Sequence, residues 1–463
     1  MNYVIIGSSA AAIGAIEAIR SLDQKSAITV VSREQEEYIY SRPLIAHYIA
    51  RRTSDDEMLY RPPDFFVQNN VEYKPGVTVT GIDTVAGQLI TDKGFLAYDR
   101  LLITTGSKIT NPAIKGEDLQ GVYSFQTYAQ ARSIRQKFKE GTKAVVIGAG
   151  LIGLRAAYGL EEGGAQVTII ELLPRILNRV LDVNGSAMIK KVLQEGGIKV
   201  YTGCSVAEMT GENGVLTGII LDNGEKLEAE IAIIATGVTP DLDALKNSDI
   251  KINNGIVVNK HFQTNYADIF AAGDVAETYD ISRNRSMVNA NWPNAYEQGH
   301  LAGLNLAGRM IPYEGSLGMN SVSFFGVPVV SLGLFDPHSD GVDDAEIKER
   351  LIPQHNIYQK IVFRDNKLKG AIFIGDLAYC GAIKDLIKSQ TLVGIIKDSI
   401  LEEKYQFSAF LRKKRYKDLE GRFIDWPQTH SSGQRYEKSF NEESWTERER
   451  DKRNWQKKGE GVK

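Results

Sequence analysis

An α/β fold with two separate parallel-sheet layers is predicted for this 463-residue chain. Three observations predict it. Two Gly-rich turns lie 141 residues apart, at Gly7 and Gly148. Each follows an unbroken apolar run, Tyr3 to Ile6 and Ala144 to Ile147, as a strand buried on both faces requires. Each then opens a helical stretch that leads to a further apolar run ending near an acid. A Gly-rich turn lets the backbone approach a pyrophosphate, and the next helix offers unpaired N–H groups and a positive dipole end. Two such turns imply two dinucleotides, and holding two serves to move electrons between them.

The first unit reads Gly7-x-Ser9-x-x-Ala12, departing from G-x-G-x-x-G at two places. Ser9 adds a hydroxyl where a glycine gives free backbone access, and Ala12 is small enough for tight helix–strand packing. Ala10 and Ala11 complete the turn. A helix is expected over about 10–22 and a strand over 28–31. An acid near the end of that strand would accept from a ribose hydroxyl. Glu34 is the candidate, one place later than usual. The alternative is a tight strand–helix connection that binds nothing.

The second unit, Gly148-x-Gly150-x-x-Gly153, is complete. Leu151 and Ile152 start a helix expected over 151–162, and a strand over 166–170 follows. Glu171 ends it, 18 residues after Gly153. A carboxylate there accepts from both ribose hydroxyls and repels a 2′-phosphate, which favours NAD(H) over NADP(H). Arg175, close by, keeps NADP(H) as the alternative.

Whole-chain properties bound the rest. The length suggests two or three domains. A net charge of −3 gives no strong pull towards nucleic acid or anionic lipid. A strand starting at residue 2 or 3 leaves no room for a signal peptide, and no run of about 18 apolar residues suggests a membrane span. Two cysteines give neither a disulfide framework nor a C-x-x-C pair. The expected location is the cytoplasm. No His, Cys and carboxylate spacing indicates a metal site.

With these units placed, the chain resembles the pyridine nucleotide-disulfide oxidoreductase flavoproteins, in particular the NADH–rubredoxin, ferredoxin and nitrite reductase branch. Five further segments over about residues 1–400 carry the resemblance. They are Tyr40-Ser41-Arg42-Pro43-Leu44, Tyr98 to Gly106 with its Thr105-Gly106 end, and Ile234 to Asp241 around Gly237. The others are Ile269 to Val275 with Gly273-Asp274, and Trp292-Pro293-Asn294-Ala295-Tyr296-Glu297-Gln298-Gly299.

The resemblance implies two Rossmann-like dinucleotide-binding domains. FAD would occupy 1–112 and 246–322, NAD(H) 113–245, and residues 323–400 would form a C-terminal α+β domain that covers the flavin or makes a homodimer face. It implies that Gly7, Ser9, Ala10, Ala11, Glu34, Arg42, Pro43, Thr105, Gly106, Gly273, Asp274 and Glu297 hold FAD. Gly148, Gly150, Leu151, Ile152, Gly153, Glu171 and Gly237 would hold the nicotinamide dinucleotide. Arg42 offers a fixed fork of donors for an anion, or else a surface ion pair. Asp274 would meet the ribitol, with a helix N-cap as its other role. Pro293 suits a first helical turn, and that helix would aim its positive end at the flavin. Trp292 would pack on the ring or in the core.

Departures matter as much. The disulfide reductases of the family carry a cysteine pair beside the flavin, and its oxidases and peroxidases carry one. The matching loop, about 37–50, has none. Cys204 and Cys380 read as small core residues. Electrons would then leave from the flavin edge towards an iron–sulfur acceptor. Arg155 stands where the branch usually has glutamate, and would pair with an acid or a partner subunit. His47 replaces a common lysine, so no catalytic residue is assigned.

In the C-terminal domain, strands are expected at 321–325 and 359–363, a charged turn and helix at 336–349, and helices after Gly381. The tail, 401–463, has no counterpart in the resemblance. From Glu402 onward it holds 16 Lys/Arg against 12 Asp/Glu. It also carries Trp426, Trp445, Trp455 and the run Arg412-Lys413-Lys414-Arg415. Basic residues among aromatics suit docking onto a redox partner protein, or else a solvated tail.

The function so implied is an FAD-dependent NAD(P)H oxidoreductase exchanging electrons with a protein partner, including as the NADH-coupling flavin subunit of a larger complex. Two alternatives stand beside it: a stand-alone NADH oxidase or peroxidase, and a signalling or scaffold flavoprotein without turnover.

Overall fold

The computed structural model describes residues 1–394 together with 397, 400, 401 and 410. Apart from residues 401 and 410, the predicted docking tail lies outside the described residues.

Two five-stranded parallel sheets have the same plan. In the first, Asn2–Ile6 is flanked by Ala27–Ser32 and Arg100–Ile103, with Val71–Pro75 and Ile269–Ala271 at the edges. In the second, Lys143–Ile147 is flanked by Gln166–Glu171 and Ile231–Ile234, with Lys199–Thr202 and Val122–Ser124 outermost. Registers correspond as well: Ile5 lies opposite Val30 and Leu102, and Val146 opposite Ile169 and Ile233. The central strands Asn2–Ile6 and Lys143–Ile147 are buried along nearly their whole length, which is why each reads as an apolar run, whereas the outer strands Val71–Pro75, Lys199–Thr202 and Val122–Ser124 are largely half-buried. In each unit a three-stranded antiparallel sheet is inserted before the fourth strand: Val79–Asp83, Gln88–Thr91 and Gly94–Ala97 in one, Val206–Glu212, Val215–Leu221 and Lys226–Glu228 in the other.

The helices of the two units start where the sequence placed them, at Ala10–Leu22 and Leu151–Glu162. Helix Ala10–Leu22 packs on Trp292–Leu306 at backbone distance. A methyl group at Gly299 would fall 2.0 Å from the Ala11 carbonyl oxygen, so only glycine permits this approach.

The last domain is an antiparallel sheet ordered Met319–Phe324, Val327–Gly333, Lys367–Ile374, Ile357–Arg364 and Glu346–Ile352, followed by helix Cys380–Lys388. The charged segment at 336–349 is not helical. It makes turns and then enters the edge strand Glu346–Ile352, whose alternating exposed and half-buried residues suit an edge strand. Charge marked only part of it as exposed, since Asp336 and Asp340 are engaged in ion pairs, and the pairing with Ile357–Arg364 decided its conformation.

Candidate functional site

The two Gly-rich turns are held by the same device. Gly7 (φ +104°) and Gly148 (φ +105°) adopt a conformation that L side chains rarely take. A methyl group on either would strike the carbonyl oxygen after the fourth strand, Thr104 O at 2.3 Å and Ala235 O at 2.4 Å. At Gly153 it would lie 1.9 Å from Gly148 O, whereas at Gly150 it would meet nothing within 4 Å. The first closes the turn, and the second leaves open space above it.

Both helices that leave these turns begin without a side-chain cap, at Ser9 and Gly150. Of the other long helices, Tyr128–Lys137, Val183–Glu195 and Trp292–Leu306 are capped by Thr127, Asp182 and Asn291, while the shorter Ile45–Ile49, Phe65–Gln68 and Cys380–Lys388 are uncapped. An uncapped N-terminus keeps its amides for an anion, so the residues present fit a pyrophosphate at each turn.

Around the first turn, Ser8, Ser9, Glu34, Tyr40, Arg42 and Tyr73 line a cleft with about 250 Å³ of empty space. Glu34 is bound on both carboxylate oxygens. Tyr40 donates to one at 2.6 Å, and Arg42 pairs with the other. Arg42 also donates to the Gln126 carbonyl at 2.7 Å, and its guanidinium lies over the Tyr40 ring. Burial disfavours the Arg42 charge, but Tyr40, Glu34 and Asp274 more than offset this and raise its pKa. Asp274 is the counterpart. Burial raises its carboxyl, opposed by Arg42 and a hydrogen bond with Ser107. The chain after Asp274 enters strand Ala276–Asp280, so the helix-cap role considered for it does not apply. Gly273 donates to the buried Gln298 Oε1 at 2.9 Å, which ties this turn to helix Trp292–Leu306.

Around the second turn, Glu171 folds back. One oxygen accepts from the Ala149 amide at 2.6 Å and the other from the Leu173 amide at 2.8 Å. The Leu177 amide donates to the Ala149 carbonyl at 2.8 Å. Residues 173–177 therefore border the turn, and Arg175 lies among them. Its guanidinium is engaged, 3.1 Å from Asp336 of the C-terminal domain.

Between the two units runs a short ribbon, Ser107–Ile109 paired antiparallel with Val238–Pro240. Thr105 Oγ1 donates to the Asp241 carbonyl at 2.7 Å, and the Asp241 amide donates to the Gly106 carbonyl at 2.9 Å. Arg33 pairs with the Asp241 carboxylate at 2.6 Å. The ATG-like ends at Thr105-Gly106 and Thr236-Gly237 thus lead into the ribbon that connects the units.

Several of the residues singled out in the sequence make contacts within the chain. Arg155 is half-buried and donates to the Pro43 carbonyl at 2.5 Å, so its hydrogen-bond partner is a backbone oxygen and not an acid. Burial lowers its pKa, and burial followed by the Arg155 charge lowers that of His47. Glu297 points to Lys388 of the last helix at 3.4 Å. Trp292 packs edge-on against Tyr60, with centroids 5.0 Å apart. Cys204 and Cys380 are free and half-buried, and Cys204 packs against the margin of the core that holds Ile170 and Leu221. One follows an edge strand and the other opens a surface helix. No group of His, Cys, Asp and Glu among the described residues could hold a metal ion. None of the described helices is long and apolar enough to cross a membrane. Sequence reasoning missed Tyr40 as a partner of Glu34, and Asp336 as a partner of Arg175. The first sat inside a quoted motif, while the second is 161 residues distant and left no local signal.

Comparison with known proteins agrees with this geometry. Residues 1–299 match the model of the pyridine nucleotide-disulphide oxidoreductases, and residues 319–391 that of the rubredoxin NAD+ reductase C-terminal domain. The chain is 32% identical over 397 residues to the epsilon subunit of NADH-dependent phenylglyoxylate dehydrogenase from Aromatoleum evansii, covering 84% of this chain and 92% of that one. It is 29% identical over 405 residues to the assimilatory nitrate reductase electron transfer subunit of Bacillus subtilis, covering 87% of this chain. It spans about half of that relative, 51%. Among solved structures, the covalent putidaredoxin reductase–putidaredoxin complex superposes with a TM-score of 0.79 at 23% identity, covering 84% of this chain and 94% of that one. At that identity the likeness establishes the fold.

Proposed function

The chain belongs to the pyridine nucleotide-disulphide oxidoreductase family, and on that premise we propose that this FAD- and NAD(H)-dependent oxidoreductase exchanges electrons with an iron–sulfur protein, as the nucleotide-coupling subunit of a larger enzyme. One observation carries the reading: two uncapped helix N-termini stand over two sheets of the same plan, each with a glutamate at or just past the end of its second strand. A flavin held there would supply the exchange between two-electron transfer from a nicotinamide and single-electron release, which suits such an acceptor.

In this reading residues 1–112 and 246–322 bind FAD, 113–245 bind NAD(H), and 323–400 form the interface domain. Gly7, Ser9, Ala10 and Ala11 cradle the FAD pyrophosphate, with Glu34 on the ribose. Arg42, Pro43, Thr105, Gly106, Gly273, Asp274 and Glu297 border the rest. Gly148, Gly150, Leu151, Ile152, Gly153, Glu171 and Gly237 border the nicotinamide dinucleotide. Arg155, bonded to Pro43, clamps the second unit onto the loop that carries Arg42. These residues orient the two nucleotides and exclude water, and no side chain needs to move a proton for hydride transfer.

The subunit role is supported by the two similar proteins, both named as subunits. We place the work in the cytoplasm, in keeping with two unpaired cysteines. The absence of cysteine from residues 37–50 weighs against an oxidase that uses a thiol.

The test is anaerobic. The purified protein should be yellow, NADH should bleach it, and an iron–sulfur protein that travels with it should restore the colour. A preparation that takes up no flavin on reconstitution would overturn the reading. Rapid NADH-dependent oxygen consumption with no partner would move it to an oxidase.

A further inference from the structure

We propose that Asp336 sets the preference for NAD(H) over NADP(H) by holding Arg175 out of reach of a 2′-phosphate. This rests on the nicotinamide dinucleotide occupying the turn at 148–153.

Glu171 alone is the expected discriminator, because its carboxylate repels a phosphate on the ribose. Arg175 works against it. It lies four residues beyond Glu171, on the segment whose Leu173 amide binds Glu171 and whose Leu177 amide binds Ala149 of the turn. A guanidinium there is the natural partner of a ribose phosphate, since its fork of donors fits three phosphate oxygens. Left free, it would weaken the discrimination that Glu171 provides.

It is not free. Arg175 Nη2 lies 3.1 Å from Asp336 Oδ2, and the two side chains are 23% and 13% exposed. The acid is itself fixed, accepting from Ser339 Oγ at 2.8 Å. Asp336 follows the strand Val327–Gly333, so it is carried by the C-terminal sheet and not by the nucleotide unit. The same segment is gripped once more from that domain. Lys360 and Tyr358 meet Asp182 at 2.8 and 2.6 Å, all three buried. The loop from Glu171 to Asp182 is therefore held in place by C-terminal residues at both Arg175 and Asp182. A pair this shielded retains more of its attraction than an exposed one.

Full-length protein with bound flavin is titrated with ADP-ribose and with 2′-phospho-ADP-ribose by calorimetry, a readout independent of turnover. In the native protein the phosphorylated ligand binds more weakly. In Asp336→Asn its affinity rises relative to ADP-ribose by about tenfold, the worth of one charge-assisted hydrogen bond. The ratio of kcat/KM for NADPH over NADH, with ferricyanide as oxidant, rises with it. Adding Arg175→Ala to Asp336→Asn removes the gain.

An unchanged ratio of the two affinities in folded, flavin-loaded Asp336→Asn overturns the proposal. Arg175→Ala alone tests it independently of that variant. A held-off arginine makes no difference to the ratio, whereas a fall of more than about threefold in relative 2′-phospho affinity would mean that Arg175 already reads the phosphate. If ADP-ribose itself fails to bind the native protein, the assignment of the 148–153 turn fails, and this inference with it.

Discussion

At or just past the end of the second strand of each parallel sheet stands a glutamate, Glu34 two residues past the strand in one unit and Glu171 as the last strand residue in the other, and the two are held in opposite ways. Glu34 is bound from outside its own turn, by Tyr40 and Arg42 on the following loop. Glu171 is bound from inside, by the amides of Ala149 and Leu173. The first acid is part of a side-chain network that reaches Gln126 and Asp274. The second belongs to the local backbone. A nucleotide that must stay is suited by the former, because many side chains fix the cleft. One that must come and go is suited by the latter, because the turn is complete without it. The third fingerprint position differs in the same sense. Gly153 touches its own turn, while Ala12 is accommodated, fully buried, between helix and sheet.

The sharpest test of this contrast exchanges the third positions. Gly153→Ala should cost about 1–3 kcal/mol through overpacking, and should slow flavin bleaching by NADH about a hundredfold with flavin retained. Ala12→Gly should cost only about 0.5–1 kcal/mol and leave bleaching intact. Stopped-flow absorbance and thermal unfolding read both, and equal effects would mean that the turns are not differently built.

Next in size is Arg42→Met. It should weaken FAD binding about thirtyfold, since it strips charge-assisted bonds from Glu34 and the Gln126 carbonyl. NADH affinity should not change. Flavin-to-protein ratios after dialysis measure it, and full retention of flavin would show that the outer network is idle.

Glu171→Gln should reduce kcat/KM for NADH by about tenfold while flavin content is unchanged, because a neutral amide is the weaker acceptor for ribose hydroxyls. Loss of flavin in this variant would break the division between the two acids.

The smallest effect concerns the ribbon between the units. Hydrogen bonds from Lys108 and Lys246 pull the Asp243 carboxyl down to about 2, below its ordinary 3.8. A pKa lowered by folding stabilises the protein above the unfolded value, and this contribution is lost as pH falls towards about 2. Asp243 is 43% exposed, so screening keeps the effect small, below about 1 kcal/mol. Asp243→Asn should lower Tm slightly at pH 7, and the two melting curves should converge near pH 2. A gap that persists at pH 2 would assign the effect to packing.

Much of this was legible in order along the chain. The helices at Ala10 and Leu151 and the strands beside them follow from apolar runs and from glycine, whose permitted backbone is a property of one residue. What was misread had partners far away. The 336–349 segment looked helical by charge, yet it ends as an edge strand because Ile357–Arg364 offers a ladder. Arg155 suggested an acid or a partner subunit, and within the chain it donates instead to a carbonyl 112 residues earlier.

The sequence by itself determined that two Gly-rich turns exist, that an acid stands near the end of each second strand, and that no cysteine stands in the loop before Ala50. Those facts depend on residue type and short spacing. Only the tertiary structure decided which charges are spent and on what. Arg42 meets Glu34, Arg175 meets Asp336 and Lys360 meets Asp182. A charge attracts whatever opposite charge folding brings within a few ångströms, and separation along the chain carries no information about that distance.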